Sequence, residues 1–124
     1  MFNGCGHLVY YTTWLIIKVE EDVCRYYRNL IYSYSRVLRL NPSKYGAHIT
    51  VIAGKYELID EEHRKFWNKY QDELVNFKYN PNIQNDSEYF WMEVKCPRIE
   101  EIREELGLPR KIIHPWHLTV GNII

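Results

Sequence analysis

The stretches His48-Ile49-Thr50-Val51 and His117-Leu118-Thr119-Val120 repeat one four-residue pattern at two distant places in the chain. Each contains a histidine, an aliphatic residue, a threonine and a valine. Side chains two positions apart lie on the same face of a β-strand, so each stretch would place an imidazole beside a hydroxyl while its aliphatic residues face the core. Two such strands side by side would form a cleft that contains two imidazoles and two hydroxyls.

These polar side chains have the chemistry needed to cleave a phosphodiester. The reaction needs a base for the attacking oxygen, an acid for the leaving oxygen and hydrogen-bond donors for the non-bridging oxygens. Histidine, with an ordinary pKa near ~6.5, can serve as acid or base at neutral pH. Threonine hydroxyls can donate to the phosphate, which is the work of metal ions in two-metal nucleases. We therefore predict His48, Thr50, His117 and Thr119 as catalytic residues, and we expect no metal or other cofactor.

The two motifs resemble the paired His-x-Thr/Ser-hydrophobic motifs that give the 2H phosphoesterase superfamily its name. The resemblance implies an α+β, two-lobed fold with antiparallel and mixed sheets, central motif strands and outer helices. The superfamily includes RNA ligase-like proteins, cyclic nucleotide phosphodiesterases and phage anti-CBASS enzymes that destroy the cyclic-oligonucleotide signals of the host. The chain is most similar to these phage enzymes in size and motif spacing, and beyond the motif strands the resemblance covers only the order of elements.

The resemblance implies a metal-independent phosphodiesterase that hydrolyses cyclic oligonucleotide second messengers. One alternative is a 2′,3′-cyclic phosphodiesterase that acts on RNA ends or small cyclic phosphates. Another is a non-catalytic sponge that binds cyclic nucleotides, although binding alone would not require an acid–base pair. The sequence does not assign the acid and the base between His48 and His117. The chain also ends shortly after Thr119, where the phage enzymes continue into a segment that helps close the site.

The length and charge of the chain limit its class and its partners. We expect a single domain over residues 1–124. Sixteen basic residues balance sixteen acidic ones, which favours a small cyclic nucleotide or a short RNA end over duplex DNA. The sequence contains no apolar run of membrane-spanning length, and its Met-Phe-Asn-Gly start lacks the basic region of a signal peptide. We therefore expect a cytosolic protein without a membrane partner, while the oligomeric state stays open.

The three cysteines do not follow the spacing of a metal site. Cys5, Cys24 and Cys96 form no Cys-x-x-Cys pair, so we expect reduced thiols. A zinc site with His114 and His117 is also not expected. These histidines are three positions apart, which on one strand would send them to opposite faces.

Hydrophobic periodicity and turn residues predict alternating strands and helices. The predicted helices cover residues 21–39, a segment that starts at Asp60 with a buried stripe of Phe66, Tyr70 and Leu74, and a segment from Pro97 to Gly107. The predicted strands cover residues 7–19, 47–55, 75–80, 88–95 and 116–123.

The strand predicted at 88–95 carries a candidate surface for a nucleobase. Tyr89 and Trp91 would share one face, opposite the apolar side chains of Phe90, Met92 and Val94. Exposed aromatic rings on a sheet stack on bases of any type. The alternative is that Trp91 packs beneath a helix or loop.

Short basic and aromatic segments precede both motifs. Lys44 and Tyr45 lie before the first motif, and Lys111 lies before the second. We include these three residues with Tyr89 and Trp91 as candidate substrate-binding residues, because nearby loops can supply charge to a phosphate.

Overall fold

The computed structural model describes residues 1–123 and has an α+β fold, as predicted. Within these residues, seven strands and three helices follow one another in the order β1 (Phe2–Tyr10), β2 (Leu15–Val19), α1 (Glu21–Ser35), β3 (His48–Ile52), α2 (Glu61–Arg64), β4 (Leu74–Tyr79), β5 (Gln84–Asn85), β6 (Tyr89–Lys95), α3 (Pro97–Glu105) and β7 (Trp116–Asn122).

The strands form one closed sheet in which the two motif strands are neighbours. The strand order is β4-β1-β2-β3-β7-β6-β5, and an additional β4–β6 pairing closes the sheet. Strands β4, β1, β2 and β3 form one half of the sheet, and β7, β6 and β5 form the other. The two halves pair through short ladders between β3 and β7, where Ile49 lies opposite Leu118, and between β4 and β6. All ladders among the described strands are antiparallel, so the mixed pairing in the sequence prediction does not form.

The core lies between one face of the sheet and the two longer helices. Helix α1 contacts β7 and buries Cys24 and Tyr27, while α3 contacts β3 and buries Ile99 and Ile102. Each large apolar side chain that is removed from water in this way contributes about 1.5–3 kcal/mol to folding. The opposite face carries the exposed or half-buried side chains of His48, Thr50, His117 and Thr119.

The prediction of a single strand over residues 7–19 is wrong, because β1 and β2 form a hairpin. The turn lies between Tyr11 and Trp14, where the Tyr11 N–H donates to the Trp14 carbonyl at 2.7 Å. The segment contains no Gly or Pro to mark this turn. The residue that accommodates the turn lies later in the chain. It is Gly54, where a Cβ would lie 1.9 Å from the Thr13 carbonyl oxygen. Only a glycine lets the loop after β3 approach the turn so closely.

The second helix is much shorter than predicted. Asp60 begins it as expected, since the Asp60 carboxylate accepts from the His63 N–H at 2.9 Å. Helix α2 then ends at Arg64, and turns follow in which Asn68 and Asp72 have φ values of 70° and 67°. This left-handed backbone interrupts helical periodicity. Leu74 is 79% exposed at the start of β4, so it does not belong to the predicted buried stripe.

The three cysteines form no disulfide with one another. Cys24 and Cys96 are buried and Cys5 is exposed, and all three are free cysteines.

Among the helices of residues 1–123, none combines the length and the apolar character that crossing a membrane requires.

Candidate active site

The four predicted catalytic side chains form a square on one face of the sheet. Ile49 of β3 lies opposite Leu118 of β7, and both side chains are fully buried on the core face. In an antiparallel pair this register places His48 opposite Thr119, and Thr50 opposite His117, on the other face. Side chains directly opposite one another have Cβ atoms about 4.5–5.5 Å apart. We call these four residues, which the sequence predicts to be catalytic, the catalytic square.

The register of the neighbouring strands places further polar and aromatic side chains in line with His48 and Thr119. Trp91 of β6 lies opposite Thr119, and Lys18 of β2 lies opposite His48. His7 of β1 in turn lies opposite Lys18. One line across five strands therefore carries an aromatic ring, a hydroxyl, an imidazole, an ammonium group and a second imidazole.

A second row runs through the other half of the square. Glu93 of β6 lies opposite His117, and Ile16 of β2 lies opposite Thr50. Ile16 is 2% exposed and forms an apolar floor beside the Thr50 hydroxyl. The face is thus acidic beside His117 and basic beside His48.

The imidazole of His48 is held in one orientation by the backbone. Its Nδ1 lies 2.8 Å from the carbonyl oxygen of Gly46, and a carbonyl only accepts, so Nδ1 carries a proton. This contact does not involve Nε2 of His48. Gly46 has a φ of 80°, and a Cβ there would lie 2.7 Å from the Glu21 carboxylate. Glycine is therefore required where the chain turns to present its carbonyl to His48.

The surroundings of His117 favour its neutral form. The side chain opens to solvent at the mouth of a cleft, yet neighbouring protein atoms displace part of its hydration shell. This desolvation lowers the pKa of His117 below the ordinary value near ~6.5. Positive charge on His48 and His114 lowers it further, while a hydrogen bond to the Pro115 backbone opposes the shift. The coupling to His48 indicates that the two imidazoles share one electrostatic environment.

A cavity of about 420 Å³ lies beside His117 and Thr119. Tyr89 and Trp91, both predicted to bind substrate, line it together with Glu93. A space of this size next to the square accommodates a small organic group, and its aromatic walls suit a flat ring.

The other three candidate binding residues lie in different surroundings. Tyr45 contacts Trp14 with ring centroids 5.6 Å apart, and Lys44 places its Nζ 5.5 Å from the centroid of the Tyr45 ring. Trp14 in turn contacts His48, so Tyr45 belongs to the surroundings of the square. Lys111 lines a separate cavity of about 480 Å³ and does not line the one that contains His117.

Sequence reasoning missed several residues near the square. Lys18 and Glu93 reach it only through strand register, and Trp14 only through the hairpin turn. His114 was expected on the face opposite His117, but it lines the same cavity, because β7 begins after it and strand alternation does not apply. Within residues 1–123, no three His, Cys, Asp or Glu side chains converge as metal ligands.

The α+β fold thus contains a closed sheet with two histidine–threonine pairs on adjacent strands, which is the arrangement of a two-histidine phosphoesterase. A family model described as "Swiss Army Knife, 2H phosphoesterase domain" matches residues 16–123. The match covers most of the chain, so the protein belongs to the 2H phosphoesterases and is a phosphodiester hydrolase. No curated protein and no solved structure matches the chain.

Proposed function

We propose that this phosphodiesterase hydrolyses cyclic oligonucleotide second messengers, without a metal ion, as a counter-defence enzyme of the phage type. The observation that carries the proposal is the catalytic square, which supplies an acid, a base and two hydroxyl donors at one point. The cavity lined by Trp91 beside that point supports a nucleotide as the substrate.

In this mechanism His117 acts as the base and His48 acts as the acid. Desolvation lowers the pKa of His117, which favours the neutral imidazole that can accept a proton. The bond from Nδ1 of His48 to Gly46 fixes that ring, so a proton on its Nε2 can be delivered to the leaving oxygen. Thr50 and Thr119 donate hydrogen bonds to the non-bridging oxygens, where negative charge accumulates.

The substrate decides which oxygen attacks. In a 3′–5′ linkage His117 removes the proton of the neighbouring 2′-hydroxyl, whose oxygen attacks phosphorus, and His48 protonates the departing 5′-oxygen, which leaves a 2′,3′-cyclic phosphate. Attack of water on this cyclic phosphate, after both histidines have exchanged protons with solvent, completes the hydrolysis. In a 2′,3′-cyclic phosphate His117 activates water, and His48 protonates the departing ribose oxygen. The first route requires ribose, so DNA is not cleaved by it. The second route is the activity of the alternative candidate, an enzyme for RNA ends or small cyclic phosphates.

Product analysis tests the proposal directly. The protein is incubated with cyclic dinucleotides, cyclic trinucleotides and 2′,3′-cyclic mononucleotides in excess EDTA, and the products are identified by mass spectrometry. We expect hydrolysis of a cyclic oligonucleotide at the same rate as without EDTA. Hydrolysis of 2′,3′-cyclic mononucleotides alone would favour the alternative enzyme, and tight binding without any product would favour a sponge. Loss of activity in EDTA that zinc or magnesium restores would contradict the metal-independent mechanism.

The pH dependence of kcat/KM is expected to be bell-shaped. Activity should fall at low pH as the base becomes protonated, and the lowered pKa of His117 places this acidic limb below pH ~6.5. Activity should fall at high pH as the acid loses its proton. Because the histidines are coupled, the two limbs describe the pair. A profile that is flat between about pH 5 and pH 9 would contradict paired histidine catalysis.

A further inference from the structure

A cluster of aromatic side chains lies on the side of the catalytic square that the Trp91 cavity does not occupy. Trp14 stacks on Tyr11 with centroids 5.0 Å apart and planes at 24°, and it meets Tyr45 edge-on at 5.6 Å. We call these three residues the Trp14 cluster. Tyr45 is 62% exposed and Tyr11 is 46% exposed, so both rings present surface that a ligand can cover.

The Trp14 cluster contacts the catalytic square through His48. The rings of Trp14 and His48 meet edge-on, with centroids 5.6 Å apart and planes at 84°. Trp91 approaches from the opposite direction, since it lies on β6 beside Thr119 of β7. A phosphate bound at the square therefore has an aromatic surface on its β2 side and another on its β6 side.

The positive charge of Lys18 on β2 is suited to the phosphate of a nucleotide. Lys18 lies directly opposite His48, and its side chain is exposed. Within residues 1–123, the ammonium group of Lys18 has no carboxylate partner at salt-bridge distance. Lys18 and the Trp14 cluster both adjoin His48, and an unpaired cation combined with exposed aromatic rings can recognise a phosphate together with a base.

We infer that the Trp14 cluster and Lys18 form a second nucleotide subsite, so that the substrate carries a nucleoside on each side of the phosphate that is cleaved. This inference rests on the proposed function for the position of that phosphate. The exposed ring of Tyr45 stacks on one base, and Trp91 stacks on the other. Such a substrate is an internucleotide linkage, in a cyclic or a linear oligonucleotide, whereas a mononucleotide 2′,3′-cyclic phosphate fills only one of the two subsites.

The test compares Tyr45→Ala with the wild-type protein on two kinds of substrate. Cyclic di-AMP and linear ApA carry two nucleosides, whereas 2′,3′-cyclic AMP carries one. Stacking on one aromatic ring is worth ~1–3 kcal/mol per base, which corresponds to about 5-fold to 150-fold in affinity. We expect Tyr45→Ala to raise KM for the two-nucleoside substrates relative to 2′,3′-cyclic AMP by about five-fold or more, with a smaller change in kcat. The matched control is Tyr34→Ala, because Tyr34 is 85% exposed on α1 and should leave both KM values unchanged.

A binding measurement separates this inference from the proposed function. The affinity of cyclic di-AMP is measured by calorimetry for His117→Ala and for the double variant His117→Ala/Tyr45→Ala, and we expect a loss of about five-fold or more. A loss without any hydrolysis by the wild-type protein would retain the subsite and reject the phosphodiesterase proposal for these substrates. Hydrolysis with unchanged affinity and KM, or an equal rise of KM for both kinds of substrate, would overturn the subsite and retain the proposed function.

Discussion

Replacement of His48 or His117 by alanine is expected to lower kcat by about 10²–10⁴, the range for removal of a positioned acid or base. Each imidazole faces the cleft, whereas the core beneath them is formed by Ile49 and Leu118. The free energy of unfolding should therefore change little. Rates measured on any hydrolysed substrate, beside urea unfolding curves, give both quantities.

The matched control for this prediction is His63→Ala. His63 lies on α2, where its ring pairs with Asp60 at 2.7 Å and does not line the cavity that contains His117. We expect this variant to retain nearly all of the wild-type activity. Two-histidine catalysis would be wrong if His48→Ala kept more than half of the wild-type rate.

The second large effect is expected for the stability of Arg103→Met. Arg103 on α3 is fully buried, and its guanidinium donates to both carboxylate oxygens of Glu57. It also donates to the Val51 carbonyl of β3 at 2.9 Å and to the Pro109 carbonyl at 2.8 Å. The same group lies 5.3 Å from the centroid of the Trp116 ring at the start of β7. One cation thus connects the two strands that carry the motifs.

Arg103→Met should lower the free energy of unfolding by about 3–5 kcal/mol, because the half-buried Glu57 carboxylate loses its cation and the Val51 and Pro109 carbonyls lose their donor. The control is Arg110→Met, which breaks the exposed Arg110–Glu104 pair and should cost no more than ~1 kcal/mol. Urea unfolding of the two variants measures the difference. A loss for Arg103→Met no larger than that of the control would contradict the structural role of the buried Arg103 side chain.

Much of the local structure could be predicted from residue types and spacing. The strand that carries the first motif, the N-cap at Asp60 and the helix that begins at Pro97 each depend on neighbours within a few positions. The predictions were wrong where contacts between residues far apart in the chain determine the structure. Residues 7–19 look like one continuous strand, but packing of the turn against Gly54 divides them into a hairpin. Lys111 lies near the second motif in sequence, yet it lines a different cavity.

By itself the sequence determined that His48 shares a strand face with Thr50, and His117 with Thr119, because alternation along a strand is a local property. It also determined the α+β class. Only the tertiary structure decided that His48 lies opposite Thr119 and next to Lys18 and Trp14. Strand register and sheet closure are selected by packing between residues far apart in the chain, and the periodicity of one segment carries no information about its partners.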